Sequence, residues 1–264
     1  MKKMKIKLFQ IDAFTDKVFG GNPAAVCILD KWIDEEIMQK IAAENNLAET
    51  AFVVKNESDF EIRWFTPVVE VDLCGHATLA AAYVLYEYYN CTYDKINFHS
   101  HISGLLSVEK KDDFLTLDFP TDIYEKTDTP KVLINAFGIT PKETYQGKTD
   151  YLLIFSSQKD IEKIKPDLNL IAKVGGRGVI VSAQGQETDF VSRFFAPQAG
   201  INEDPVTGSA HTTLTPIWSE KLKKKILTAK QLSKRQGNLV CEYLGDRVKI
   251  TGKAVTYLIG EIEI

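Results

Sequence analysis

The chain has 264 residues, of which 44% are hydrophobic and 26% are charged, so its composition is that of a globular protein and not of a disordered one. The formal net charge of −4 gives no reason to expect a nucleic acid partner, and no apolar run approaches the roughly 20 residues that span a bilayer. The four cysteines are far apart and form no CxxC pair, which favours reduced thiols and a cytoplasmic location over a disulfide framework.

The first half of the chain predicts a sheet with two helices. Alternating apolar residues predict strands at 1–7, 51–55, 60–65, 96–99, 105–109 and 114–119. The second and third of these strands flank turn-forming residues at 56–59 and therefore predict a hairpin. A first helix is expected to be capped by Asp34 and to end at Asn45 and Asn46, which tolerate the left-handed conformation.

The second predicted helix, at 77–89, is apolar around most of its circumference. Such a helix in a globular protein must be surrounded by other structure. Because strands flank it on both sides in the sequence, we expect a curved sheet that wraps around this helix.

The second half of the chain repeats this plan. Strands are predicted at 151–155, 178–182, 190–195, 239–243, 247–250 and 256–262, a short helix or turn at 157–164 and a helix at 209–223. Pro216 lies inside the last helix and should kink or shorten it. The polar segment 122–130 is the best linker, so we predict domains at 1–124 and 125–264, with the last strand (about 255–264) able to pack back on the first domain.

The two halves share a local pattern. Phe65-Thr66-Pro67 precedes a loop and then Cys74-Gly75-His76, and Phe195-Ala196-Pro197 precedes a loop and then Thr207-Gly208-Ser209. In both, a strand ends in Phe-x-Pro and a glycine opens a helix. We interpret the chain as a duplicated α+β unit.

The two glycine-led helix starts are candidate anion sites. The first turn of a helix exposes unpaired backbone N–H groups and the positive end of the dipole. Either glycine alone is explained by tight packing between loop and helix. The pair, in residues 75–77 (Gly75, His76, Ala77) and 208–210 (Gly208, Ser209, Ala210), predicts a cleft that binds a small carboxylate, with Asp204 just upstream.

Glu49 is the candidate proton-transfer group. It precedes the hairpin strand and shares a strand face with Ala51 and Val53. A carboxyl group in apolar surroundings suits a residue that must both take and return a proton. The alternative is an exposed glutamate at a strand edge.

Neither a metal site nor a cofactor site is predicted. His99 and His101 share a strand face, and Cys74 and His76 are also two residues apart, but neither pair has the spacing of a common zinc motif. The glycines at 175–178 precede a strand and do not open a helix after one, which is not the arrangement of a dinucleotide fingerprint.

Five segments, at 19–26, 46–50, 72–79, 193–197 and 200–210, resemble the motifs of the phenazine-biosynthesis (PhzF) family in family order. The resemblance implies a diaminopimelate-epimerase-like fold: two pseudo-symmetric domains, each a barrel-like mixed β-sheet wrapped around a central α-helix. It also implies a cofactor-free site in the cleft between the domains and a homodimer.

The resemblance also implies roles for individual residues. In the phenazine-pathway member, the glutamate matching Glu49 moves a proton within a dihydro-hydroxyanthranilate ring. The residues matching His76, Asp204 and Ser209 bind or orient the substrate. We therefore expect Glu49, His76 and Asp204 to be catalytic and the two helix starts to bind substrate.

One position departs from the related epimerases, which carry a cysteine at each helix start. Here Cys74 keeps the first place and Thr207 stands in the second, and a hydroxyl is too weak an acid to replace a thiolate unaided. We therefore favour an isomerase that moves a proton within a small unsaturated carboxylic or amino acid by one glutamate. The alternatives are a racemase or epimerase that uses Cys74, and a non-catalytic dimeric binding or scaffold protein.

Overall fold

A computed structural model describes residues 4–56 and 59–264 of the chain. By its internal contacts the chain divides into two compact units. The first runs up to Asp118 and takes in Thr251–Ile264, and the second is Phe119–Ile250. Three residues of the predicted first strand, 1–3, and two of the predicted turn, 57 and 58, lie outside the described residues.

The first unit is a mixed sheet with two helices. Its strands are β1 (Lys5–Ala13), β2 (Asn22–Leu29), β3 (Glu49–Asn56), β4 (Asp59–Phe65), β5 (Glu70–Val71), β6 (Lys95–Ser100), β7 (Gly104–Lys111), β8 (Phe114–Pro120) and the C-terminal β18 (Ala254–Glu263). The main sheet order is β18-β1-β2-β3-β4-β6-β7-β8, with parallel pairs at β2–β3 and β4–β6. β3 and β4 form the predicted hairpin.

The helices of the first unit are α1 (Glu35–Asn45) and α2 (Gly75–Tyr88). α2 packs against β1, β2, β3, β7 and β18, and the run from His76 to Ala82 is buried without interruption. The prediction of a helix surrounded by sheet is therefore confirmed. α1 ends as predicted, with Asn46 in the left-handed region at φ 50°, but the Asp34 side chain makes no capping hydrogen bond.

The second unit has the same plan. Its strands are β9 (Glu125–Thr127), β10 (Glu143–Gln146), β11 (Asp150–Ile154), β12 (Gly178–Gln184), β13 (Phe190–Ala196), β14 (Ile201–Asp204), β15 (Ile226–Gln231), β16 (Gly237–Tyr243) and β17 (Arg247–Gly252). The sheet order is β9-β10-β11-β12-β13-β15-β16, with β14 paired to β13. The segment predicted as a linker contributes β9.

The helices of the second unit are α3 (Lys131–Phe137), α4 (Gln158–Lys163), α5 (Leu168–Ile171) and α6 (Ala210–Leu222). α6 packs against β11, β15 and β16 and is buried along most of its length. No helix in the described ranges combines the length and apolar character that a membrane crossing needs.

α6 continues through Pro216 instead of ending there. Proline has no N–H to bond the carbonyl four residues earlier, which is that of Thr212. In this fold the backbone N–H of Asp122 donates to that carbonyl at 3.3 Å. The Asp122 carboxylate also accepts from the Thr213 hydroxyl at 2.7 Å. A neighbouring segment thus satisfies the group that proline leaves open, so the predicted shortening of this helix is wrong.

Candidate functional site

In the first unit, the predicted site residues Glu49 and His76 meet where β2, β3 and α2 come together. Glu49 is the first residue of β3 and pairs with Ala24 of the parallel strand β2. His76 lies in the first turn of α2. Its Nε2 is 3.2 Å from Oε2 of Glu49, and the two side chains are only 6% and 12% exposed. Glu49 is therefore not an exposed glutamate at a strand edge.

The His76 ring is held on its other side by the strand β2. The side-chain amide of Asn22, the first residue of that strand, lies 3.2 Å from Nδ1 of His76. Burial opposes a charge on the ring, but Cys74 and Glu49 outweigh it and raise the pKa of His76 well above its usual value. A cationic imidazole thus faces the Glu49 carboxylate.

Cys74 lies directly before α2, and its carbonyl accepts hydrogen bonds from the N–H and the hydroxyl of Thr78. The Cys74 Sγ is 3.5 Å from Nδ1 of His76. Burial, together with the charge of Glu49, raises the pKa of Cys74 to about 11. At neutral pH Cys74 is therefore a thiol, which is the less nucleophilic and less basic form.

The donor atoms of Glu49, Cys74 and His76 all lie within 4.8 Å of one another. Among the described residues this is a cluster with the donor types of a metal site. The spacing of Cys74 and His76 did not reveal it, because the third member comes from a different element. His99 and His101, the other pair considered, lie instead beside Asp59 at 3.0 Å and Glu70 at 3.9 Å.

In the second unit, Asp204 and Thr207 belong to a buried hydrogen-bonded group. The Thr207 hydroxyl donates to the Asp204 carboxylate. Gln231 of β15 accepts from the Thr207 N–H at 2.8 Å and donates to the Asp204 carbonyl at 2.8 Å. The Thr207 hydroxyl is thus held as a hydrogen-bond donor to a carboxylate. An acid or base in the place of a cysteine thiol would not need this hydrogen bond.

Ser209 lies just before α6, with its side chain turned to an arginine. Arg177 donates through Nη1 to Ser209 Oγ at 2.9 Å and through Nε to Asp150 at 3.0 Å. Burial opposes the charge of Arg177, but Asp150 outweighs it and raises the pKa of Arg177. The sequence did not identify Arg177 as a site residue, although it lies among the glycines at 175–178 that precede β12.

His211 is a second buried histidine of opposite character. Its Nδ1 donates to the Thr207 carbonyl at 2.8 Å, and its buried Nε2 has no hydrogen-bond partner among the described residues. Burial lowers the pKa of His211 to about 4. His211 is therefore neutral at physiological pH and holds the loop before α6 by a neutral hydrogen bond.

The predicted residues thus fall into two groups, one in each unit. Glu49, Gly75, His76 and Ala77 lie together in the first; Asp204, Gly208, Ser209 and Ala210 lie together in the second. α6 begins at Ala210 with Ser209 directly before it, so the N–H groups at both helix starts have no acceptor within their own helix.

A separate cavity of about 550 Å³ lies in the first unit, and no predicted site residue lines it. Its walls are formed by Trp32, Glu35, Glu61, Ile62, Arg63, His99, Ser100 and His101. Several polar groups of this cavity already have partners: Arg63 donates to Glu35 and Glu70, and Trp32 donates to Glu61.

Comparison with known proteins agrees with this fold and these motifs. The family model for phenazine biosynthesis-like protein (PhzC–PhzF) matches residues 11–260. An uncharacterized isomerase of Pseudomonas aeruginosa is 48% identical over 261 residues, which cover 99% of this chain and all of the relative. A crystal structure of a phenazine biosynthesis protein of the PhzF family from Enterococcus faecalis is 45% identical, with a TM-score of 0.96 over 99% of this chain and all of that chain.

A more distant structural neighbour supports the fold alone. A predicted epimerase from Pseudomonas aeruginosa has a TM-score of 0.72 at 18% identity, over 97% of this chain and 99% of that chain. The family model, the Pseudomonas aeruginosa isomerase and the Enterococcus faecalis structure confirm the resemblance noted in the sequence. Two further relatives, 48% and 42% identical, also carry the name isomerase. The chain therefore belongs to the phenazine biosynthesis-like (PhzF) family, and it is an isomerase with the α+β, diaminopimelate-epimerase-like fold that the motifs predicted.

Proposed function

We propose that this isomerase needs no cofactor and moves a proton between two positions of a small unsaturated carboxylic or amino acid, with Glu49 as the only acid and base. The observation that carries the proposal is the contact between Glu49 and His76. The Glu49 carboxylate lies 3.2 Å from the imidazole and is almost hidden from solvent, which places it to accept and return a proton.

The first step takes a proton from a carbon of the substrate. Glu49 Oε2 lies 3.2 Å from the imidazole Nε2. A carboxylate has about four lone-pair sites on its two oxygens, so one contact with the imidazole leaves others that can take a substrate proton. Once protonated, Glu49 returns the proton to a second carbon on the same face, so that one bond to hydrogen breaks, another forms and the double bond shifts.

His76 supports this transfer through its position. With Nδ1 against Asn22 and Nε2 against Glu49, its charge stabilises the carboxylate before the proton arrives and can stabilise negative charge that develops on the substrate. Its own proton stays on the ring throughout the cycle.

Cys74 does not serve as the base in this proposal. A thiol with a pKa of about 11 is almost wholly protonated near pH 7, and inversion at one carbon needs a second group on the opposite face. Thr207, which stands where the related epimerases carry the second cysteine, is bound to Asp204. Both facts favour a same-face shift by Glu49 over a two-thiol epimerisation.

The carboxylate of the substrate suits a helix start. The first N–H groups of α2 follow Cys74 directly, and backbone N–H groups with a helix dipole bind anions. That Asp204 and Ser209 bind the same substrate is a prediction from the sequence.

The test is exchange with solvent deuterium. A panel of small unsaturated carboxylates and amino acids is incubated with the protein in D2O, and mass spectrometry records deuterium in the recovered acid and in any isomer. We expect incorporation with the wild type and with Glu44→Gln, a control on an exposed glutamate of α1, and none with Glu49→Gln. Incorporation that persists in Glu49→Gln and disappears in Cys74→Ala would favour a cysteine-dependent racemase or epimerase.

A further inference from the structure

We propose that Glu49, Cys74 and His76 together bind a zinc ion, and that the ion inhibits the enzyme by occupying the carboxylate that accepts the proton. The binding of the metal stands on the geometry of the three side chains alone. The inhibition rests on the proposed function of Glu49.

The distances between the donor atoms match those of a tetrahedral site. Zinc binds thiolate sulfur at about 2.3 Å and imidazole nitrogen or carboxylate oxygen at about 2.0–2.2 Å, which places neighbouring ligand atoms of a tetrahedron roughly 3.3–3.7 Å apart. Here Nε2 of His76 is 3.2 Å from Oε2 of Glu49 and 3.9 Å from Sγ of Cys74. Sγ of Cys74 and the Glu49 carboxylate lie within 4.8 Å of each other, so these two groups must draw together to complete three corners of such a tetrahedron.

The donor set selects a borderline metal. Calcium and magnesium take oxygen ligands, whereas zinc and cobalt(II) accept sulfur, nitrogen and oxygen together. One thiolate and one carboxylate also neutralise a divalent ion, so the filled site carries no net charge in buried surroundings. Three protein ligands leave a fourth position for water or a substrate oxygen.

The contacts of His76 also favour metal binding. The side-chain nitrogen of Asn22 lies 3.2 Å from Nδ1, and this contact orients the ring with Nε2 towards Glu49. Coordination requires the Cys74 proton and the Nε2 proton of His76 to leave for solvent. The lone pairs that they release form the bonds to sulfur and nitrogen.

The experiment uses cobalt(II) as a visible substitute for zinc. Metal-free protein is titrated with cobalt(II), and we expect saturation at one ion per chain with a thiolate-to-cobalt charge-transfer band in the near ultraviolet. Zinc added afterwards should remove the band. Cys74→Ala should lack it, and Cys91→Ala, which removes a more exposed thiol of the same unit, should keep it.

Three outcomes would overturn the metal site: no sulfur band in the wild type, a band unchanged in Cys74→Ala, or a band lost in Cys91→Ala. The first outcome is measured on the wild type alone, so the proposal can be refuted even if Cys74→Ala does not fold. Glu49→Gln should keep the band but weaken cobalt binding by about tenfold or more, and binding of unchanged strength would remove Glu49 from the ligands.

Inhibition is measured separately, as competition between zinc and substrate in wild-type turnover, with reversal by a chelator. A protein that binds cobalt at Cys74 but is not inhibited by zinc would contradict the proposed role of Glu49 and leave the metal site standing. If the cobalt band is absent and metal-free Glu49→Gln is inactive, the metal site is refuted and the proposed role of Glu49 is supported.

Discussion

The carboxylate of Glu49 and the imidazole of His76 lie 3.2 Å apart, with both side chains almost withdrawn from solvent. They come from different elements, the start of β3 and the first turn of α2. A carboxylate is therefore held next to a cation at a helix start, where an anionic substrate group is also favoured.

Glu49→Gln tests the function of this pair. The amide has nearly the shape of the carboxylate but cannot accept a proton, so turnover should fall by a factor of about 10² or more while binding of substrate carboxylate stays within a few-fold. Initial rates and calorimetric titration measure the two effects, with Glu44→Gln as the matched control. A Glu49→Gln protein that turns over at the rate of the control would refute the assignment.

Cys74→Ala should leave substantial activity. If Cys74 only packs beside the start of α2, loss of its thiol should change kcat by less than about tenfold, a loss of roughly 1.4 kcal/mol in transition-state stabilisation. Rates are measured with a chelator present, alongside Cys27→Ala, which removes another buried thiol of the first unit. An inactive but folded Cys74→Ala, beside an active Cys27→Ala, would point to thiol chemistry.

Arg177→Lys tests whether the second unit positions Ser209 for substrate. Lysine cannot bond Ser209 and Asp150 with one planar group, and loss of a charge-assisted hydrogen bond corresponds to a factor of about ten in affinity. We expect KM to rise by about that factor with a smaller change in kcat. In a cycle with Ser209→Ala the two effects should not add, whereas independent effects would show that Arg177 does not act through Ser209.

The free energy of unfolding should fall as the pH is lowered from about 6.5 to about 4, in part because of His211. Its folded pKa of about 4 lies below the ordinary 6.5, so in this range the unfolded chain binds a proton that the folded protein does not. The contribution is complete above pH 6.5 and falls by about 3 kcal/mol at low pH. His76 has the opposite sign, because its raised pKa gives stability that is lost only as pH rises above 6.5.

The measurement is urea unfolding across this range, with a chelator present. His211→Asn keeps a donor for the Thr207 carbonyl and removes the titration, so its stability should depend less steeply on pH than that of the wild type. Equal slopes for wild type and His211→Asn would show that another group is responsible.

The sequence by itself determined the types of most elements and the residues worth testing. Alternation and apolar runs predicted the hairpin of β3 and β4 and the buried α2, because these features are local and their periods are fixed by backbone geometry. The left-handed Asn46 was predictable for the same reason. The residues beside the two helix starts also picked out His76, Asp204 and Ser209, and strand alternation picked out Glu49.

Only the tertiary structure decided what these residues touch. The Glu49–Cys74–His76 cluster and the Arg177–Ser209 contact join distant parts of the chain, and no period or spacing encodes such pairs. The same holds for Pro216. The free-energy cost of this proline inside α6 depends on the backbone N–H of Asp122, which donates to the Thr212 carbonyl. The opposite pKa shifts of His76 and His211 have one physical reason: both are buried, but only His76 lies beside Cys74 and the Glu49 carboxylate, whose interactions outweigh the loss of water.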